Sequence, residues 1–258
     1  MGLQEEERSS QQLCRNYNFR EVSGLSYGTN PYCHIYIGVY ASKNIYRNWL
    51  LTVSFWFTHI FTEKCFHVVT SDAEEKFGLN KNDTKYGGEN VWKYAVDTAR
   101  LKAEDVFNRA TQNTIPNLNE TFMVIGSDTI VTYDGTIYGK PKDKEDAIRI
   151  LKELSGKTHS VISGVVILCN HTKDGSTKNK IEHQFHSVTK VQFDDLDDKV
   201  IKAYVETGEP MDKAGGYGIQ ALGGTLVKRI DGDYYNVVGF PLNLFCKTIT
   251  NIYQWLQM

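Results

Sequence analysis

Asp134-Gly135 stands between two short runs, IVTY and TIYG. Both flanks are rich in β-branched and aromatic residues. An Asp-Gly pair accepts the positive φ angles of the tight turn that joins antiparallel strands. This one dipeptide therefore predicts an antiparallel hairpin in the middle of the chain and excludes a purely parallel, doubly wound sheet. Ahead of it, FMVIG from Phe122 reads as a buried strand, with Asp128 directly after it where the chain turns. Beyond it, Asp143 caps a helix, DKEDAIRILKELSG, with Ala147, Ile148, Ile150, Leu151 and Leu154 as its apolar stripe and Gly156 as its stop.

Strand-like runs follow at His159–Cys169 and His183–Phe193, around a polar loop at Asn170–Lys180. Asp194 or Asp195 opens a further helix with Leu196, Val200, Ile201, Tyr204 and Val205 on one side. A Gly-rich loop, Gly208 to Gly224, leads to a second Asp-Gly pair in TLVKRI-DG-DYYNVV, which reads as another hairpin, and an amphipathic helix starts at about Asn243. Earlier, Ile35–Tyr40 and Phe66–Val69 have strand character, and residues 1–30 read as a polar tail. Asn90 is placed to cap a helix reaching about Ala110, with Val91, Ala95 and Ala99 on one face. Lys102 falls on nearly the same face; such a lysine more often snorkels at the edge than points into a cleft. Together these elements predict an α/β or α+β chain with a mixed sheet and a single domain over residues 31–258.

The 258 residues carry 29 Lys+Arg against 31 Asp+Glu, a net charge of −2. Such a balance supplies no basic field for nucleic acid or a membrane surface. The longest apolar run, Trp49 to Phe61, is too short to span a bilayer and is broken by Thr52, Ser54, Thr58 and His59. MGLQEEERSS has neither the apolar stretch of a secretory signal nor a myristoylation pattern, since Glu6 stands where Ser or Thr is needed. Cys14, Cys33, Cys65, Cys169 and Cys246 are scattered and never form CxxC, which fits reduced thiols and a cytoplasmic protein.

Two nucleotide-loop look-alikes fail on context. GTIYGKP is one residue short of a phosphate loop and has Pro141 where magnesium needs Ser or Thr. Gly216 to Ala221 fits G-x-G-x-x-A but precedes a strand instead of following one. What remains is a set of charges at the ends of regular elements: Glu74 and Glu75, Asp128, Lys140, and Asp212-Lys213 within the Gly-rich loop. Each alone reads as a turn Asp, a solvated Lys or an acidic helix start. Together they offer carboxylates for a divalent cation and lysines for phosphates, which phosphoryl chemistry requires.

The stretches VIGSDTIVTYDGTIYGKPKDKEDAIRILKELSGKTHSVISGVVIL and GEPMDKAGGYGIQALGGTLVKRIDGDYYNVVGFPLNLF strongly resemble the Maf family of nucleotide pyrophosphatases, in particular the Maf-like domain of acetylserotonin methyltransferase-like proteins. The likeness runs over about residues 35–257, and the chain reads as the Maf-like unit alone, without a methyltransferase half. The resemblance implies a mixed twisted sheet flanked by helices, in two lobes around a central cleft, and a homodimer. It implies hydrolysis of a nucleoside triphosphate, dTTP or UTP or a modified pyrimidine, to monophosphate and pyrophosphate with Mg²⁺ or Mn²⁺. By the same resemblance Asp128 is the catalytic acid and proton acceptor, and Glu75 and Asp128 are metal ligands. Lys140 and Glu75 join Asp128 in catalysis, Lys102 and Lys213 line the cleft, and Thr129 and Gln220 match positions tied to dTTP/UTP preference.

One stretch departs from the family. After its first strand the family has Ser-x-Ser-Pro-Arg-Arg, whereas this chain has ASKNIYRNWLL. Ser42 and Arg47 match, but Asn44, Ile45 and Tyr46 replace Ser, Pro and the first Arg, and Tyr offers one hydroxyl where Arg offers a bidentate fork. Between Leu51 and Phe66 the chain also has more residues, many of them aromatic, than the family pattern. The alternative expectation is thus a catalytically impaired Maf-like module that binds nucleotide or a partner. An exposed apolar patch at Trp49–Phe61 for a partner is a weaker one, with burial in the core as its rival.

Overall fold

The FMVIG strand does not end at Gly126. In the computed structural model, which describes residues 33–39, 66–71, 73, 76, 78–112, 121–173 and 177–257, it continues as β3 (Thr121–Tyr133) straight through Asp128 to the Asp134-Gly135 turn. Alternation on both sides of the site explains the extension: Phe122 and Val124 are buried on one face, Met123 and Ile125 on the other, and Ile130 and Val131 resume the pattern beyond Thr129. Asp134 (φ 48°) and Gly135 (φ 72°) take the left-handed conformations of a two-residue hairpin, returning the chain as β4 (Thr136–Tyr138).

Among the described residues the sheet has seven strands and is mixed. β1 (Cys33–Val39) and β2 (Phe66–Thr70) are parallel, with Ile35 opposite Phe66. β3 is antiparallel to β4 and to β5 (Thr158–Lys173), β5 to β6 (Thr177–Phe193), and β6 to β7 (Val227–Asp231). The order is β2-β1-β3-β5-β6-β7, with β4 off the path on β3. β5 occupies one edge of β3 from Phe122 to Thr132, so β1 and β4 share the other, β4 taking Val131–Tyr133. The region read as a polar loop, Asn170–Lys180, is mostly strand, because the β5–β6 ladder pairs out to Lys173 and Thr177.

Helix α1 (Trp92–Thr111) starts one residue later than the Asn90 cap predicts. Asn90 closes a 3-10 turn (Gly88–Asn90), and no side chain caps the helix. Ala95, Ala99, Ala103 and Ala110 are fully buried against one face of the sheet. On the opposite face, α5 (Leu242–Gln257) covers Met123, Ile125, Val165 and Ile167 through Phe245 and Ile252. Farther along the strands that same face carries α2 (Lys144–Leu154) and α3 (Asp198–Glu206), packed with Val131, Val161, Val191 and Phe193. The packing on that face thus divides into two apolar clusters along the strands, with Ser127–Thr129 of β3 between them.

Helix α2 begins as predicted, Asp143 accepting from the Asp146 amide. Helix α3 instead takes Asp197 as its cap, which accepts from the Lys199 amide, so Asp194 and Asp195 stay outside. DYYNVV is not a strand. Asp233 accepts from the Tyr235 amide and starts a short helix, α4 (Tyr234–Val238), which Gly239 (φ 119°) ends. A buried Asn236 explains the choice: its side-chain amide donates to the Val161 carbonyl and to Thr189 Oγ1, each at 3.0 Å, docking the turn of helix on the sheet. The tail at residues 1–30 and the Trp49–Phe61 segment lie outside the described residues.

Candidate active site

Two glycines set the site by letting α1 lie almost on the sheet. Gly164 on β5 pairs directly opposite Asp128 on β3, and a Cβ there would stand 2.5 Å from Ala95 C and from Val96 N. A Cβ on Gly126 would strike the Ala99 carbonyl and come within 2.9 Å of Ala103 Cβ. With small residues on both surfaces, the helix backbone approaches the strands closely, and Lys102, one turn along from Ala99, reaches the same face as Asp128. Lys102 Nζ donates to Asp128 Oδ1 at 2.5 Å, with the lysine side chain 4% and the aspartate 13% exposed. The lysine therefore takes the less common of its two readings and points inward. A charge-assisted bond of this kind, held where water is scarce, fixes both groups.

Asp128 and its neighbour Thr129 point to opposite faces, as adjacent residues of a strand must. Thr129 Oγ1 lies 2.8 Å from Ser163 Oγ and donates to the Gly239 carbonyl at 3.2 Å, while Ser163 Oγ donates to the Asn236 carbonyl. Thr129 thus helps hold the α4 turn and is not brought together with the Lys102–Asp128 pair.

The lysines at 140 and 213 come from two loops tied to each other. β4 runs antiparallel to β3, so the chain after Tyr138 heads back toward Asp128, and the Gly139 carbonyl accepts from the Gly215 amide at 3.0 Å. Gly215 (φ 69°) presses on the Val131 side chain, leaving no room for a Cβ. Lys140 is exposed and lines a shallow cavity of about 150 Å³ together with Lys81, Lys142, Asp146 and Arg149; Asp128 and Lys102 do not line it. Lys213 donates to Asp212 Oδ1 within the loop, and Gln220 is exposed near the loop's end. Beneath the loop, His159 Nε2 lies 2.7 Å from the Tyr217 hydroxyl, and both rings meet Phe193 edge-on. Burial draws His159 down to about 4 and pushes Tyr217 up, so the pair stays neutral near pH 7 and anchors the loop.

Ser42, Tyr46, Arg47 and Glu75 lie outside the described residues, so the structure neither joins them to Asp128 nor separates them. Among the described residues no cluster of three His, Cys, Asp or Glu could enclose a metal ion. Asp128 alone suits a hard cation that keeps most of its ligands as water and phosphate oxygens, which is how Mg²⁺ commonly binds. No helix among the described residues is long and apolar enough to cross a membrane.

The chain matches the family model described as Maf-like protein over residues 40–252. The chain belongs to the Maf family. A protein of Thermococcus gammatolerans named dTTP/UTP pyrophosphatase is 42% identical over 182 residues, covering 70% of this chain and 83% of its own length. One of Clostridium tetani with the same name is 43% identical, over 69% of this chain and 82% of its own. A human protein named probable bifunctional dTTP/UTP pyrophosphatase/methyltransferase is 48% identical over 188 residues, but this chain spans only 29% of its length. In this Maf chain, then, the sequence motifs around Asp128 and Lys213 sit on one sheet and one loop. Gly126 and Gly164, neither of which reads as functional in the sequence, set the first of these by letting α1 lie close on the strands. Only the small-residue spacing Ala95, Ala99, Ala103 hinted at the close helix–sheet approach.

Proposed function

We propose that this chain is a metal-dependent nucleoside triphosphate pyrophosphatase that acts on dTTP, UTP or modified pyrimidine triphosphates. The observation that carries the reading is the buried Lys102–Asp128 pair, an ammonium locked to a carboxylate at 2.5 Å between α1 and the sheet. The names of the Maf relatives support the substrate class. Water adds across the anhydride between the α- and β-phosphoryl groups, releasing monophosphate and pyrophosphate, and Asp128 accepts the proton from that water. Lys102 holds the carboxylate in one orientation. Lys140 and Lys213 meet the phosphates from the two tethered loops, spreading the charge that grows on the leaving group. Asp128, with Glu75, would hold Mg²⁺ or Mn²⁺, which when bound neutralises phosphate charge. Gln220 supplies the base contact. Scattered cysteines that never form CxxC fit a reducing compartment, and the same reading makes the enzyme a cytoplasmic homodimer.

The test is pyrophosphate release from a panel of nucleoside triphosphates with Mg²⁺ or Mn²⁺, beside Asp128→Asn. Turnover of dTTP or UTP that falls by three decades or more in the variant is the expected result, and equal release from both proteins refutes the reading. Tyr46 in place of an arginine favours a second reading, a catalytically weakened binding module. Loss of one charged phosphate contact costs about two to three decades in rate, so Tyr46→Arg restores that much if the loop is merely degraded.

A further inference from the structure

Lys213 and Gln220 both lie within the span from Glu209 to Gly223, and a single carboxylate closes that span. Glu209 Oε2 accepts from the Leu222 amide at 3.0 Å, and Oε1 accepts from the Gly223 amide and from the Tyr204 hydroxyl, each at 3.0 Å. The Tyr204 hydroxyl in turn accepts from the Gly218 amide at 3.3 Å, so one Glu–Tyr unit ties the start, middle and end of the loop. Gly223 is forced by this closeness, since a Cβ there would stand 2.5 Å from Tyr204 Oη and 2.7 Å from the Gly218 carbonyl oxygen. Tyr204 is only 5% exposed and packs in the α2–α3 core, which gives the unit a rigid base. Burial and the neighbouring Glu209 push its hydroxyl proton affinity up, so it remains a donor.

Three donors converge on Glu209, and only a carboxylate satisfies all three. A glutamine has one acceptor oxygen and would turn its NH₂ toward a peptide N–H or a hydroxyl that already donates. The loop itself has few apolar anchors between Lys213 and Leu222 beyond Tyr217, so its conformation depends on these bonds.

We propose that Glu209 is a positioning residue whose carboxylate clasps the Glu209–Gly223 loop and thereby sets the affinity for a pyrimidine nucleotide through Lys213 and Gln220. The idea rests on the pyrophosphatase reading for its substrate and on the geometry for its clasp, and the two are tested separately.

Amide hydrogen exchange of the full chain reads the clasp without any activity. In Glu209→Gln the amides of Gly218–Gly223 exchange about tenfold faster or more, the size of one charge-assisted bond, while β3 and β5 are unchanged. Equal exchange in the two proteins overturns the clasp. Steady-state kinetics then read its effect. The KM for dTTP and UTP rises about tenfold with kcat within threefold, the preference over dGTP falls by a similar factor, and Glu209→Asp recovers part of the loss. An unchanged KM and preference, or a kcat loss with KM kept, overturns the specificity role. Should Glu209→Gln fail to fold, Tyr204→Phe removes one donor and the Gly218 acceptor while leaving the packing. It then gives the same shifts at reduced size, and no shift refutes the idea. A folded wild type that releases no pyrophosphate sinks the pyrophosphatase reading and the specificity role with it, and exchange alone then decides the clasp.

Discussion

Adding a single methyl group at Gly164 tests whether the site depends on how closely α1 lies on the sheet. The new Cβ would stand 2.5 Å from Ala95 C and Val96 N and 2.7 Å from Val96 Cα, all helix backbone. Ordinary carbon contacts need about 3.5–4.0 Å, so the helix must lift by roughly 1 Å, as no side-chain rotation can relieve the clash. Overpacking of this kind costs about 1–3 kcal/mol, and the relief of glycine entropy in the unfolded chain returns roughly 0.4–1. A net loss of about 1–2 kcal/mol lowers Tm by roughly 2–8 °C in a chain of this size. Asp128 lies directly opposite Gly164 and Lys102 lies on α1, so the same lift displaces one half of the buried pair against the other. A misplacement near 1 Å costs on the order of a hundredfold in rate. Thermal unfolding by circular dichroism and pyrophosphate release on Gly164→Ala measure both effects. A Tm within 1 °C of wild type together with turnover within twofold would refute the argument that these glycines set the site.

Lys102→Met removes the ammonium and keeps most of the side-chain volume; breaking a buried pair costs about 3–5 kcal/mol, read by urea unfolding, and activity falls with it. Pairing it with Asp128→Asn in a double-mutant cycle should show strong non-additivity, and simple additivity would mean the two groups are uncoupled. His159, drawn down to about 4 by burial against an ordinary 6.5, makes the unfolded chain bind the extra proton first. Stability is therefore complete above about pH 6.5 and declines as pH falls toward 4, by about 3 kcal/mol in all, and His159→Gln flattens the curve in that window. Asp143→Ala deletes the α2 cap and costs about 1 kcal/mol, read by circular dichroism as a fall in Tm of roughly 2–4 °C, and an unchanged Tm would mean that the cap contributes nothing.

Legibility in the sequence followed the range of the forces involved. The Asp134-Gly135 hairpin and the Asp143-capped helix are decided by residues a few positions apart, and both are where the pattern puts them. Asp-Gly at 231–232 carries the same local signal but fails, because Asn236 finds partners on β5 and β6 that only the fold supplies. Asp194 and Asp195 lose the cap position to Asp197, two or three residues on, which is the usual margin of element boundaries. The carboxylate of Asp128 and the amine of Lys102 were both legible as candidates; that they touch was not, because it depends on two glycines on different strands. Thr129 shows the converse, a residue beside the site in sequence and on the other side of the sheet in space. Glu209 gave no signal at all, since one acidic residue after a glycine looks like any solvated turn.

Lys102, only 3% exposed, also serves as a reporter of its surroundings. An amine so enclosed reacts with acylating reagents only when the helix above it lifts away, so its labelling rate counts openings of α1 from the strands, whereas exposed lysines such as Lys93 and Lys142 react at once and calibrate the reagent. Followed by peptide mass, that one slow lysine turns the packing of a helix into a clock, and the clock should slow when nucleotide is bound.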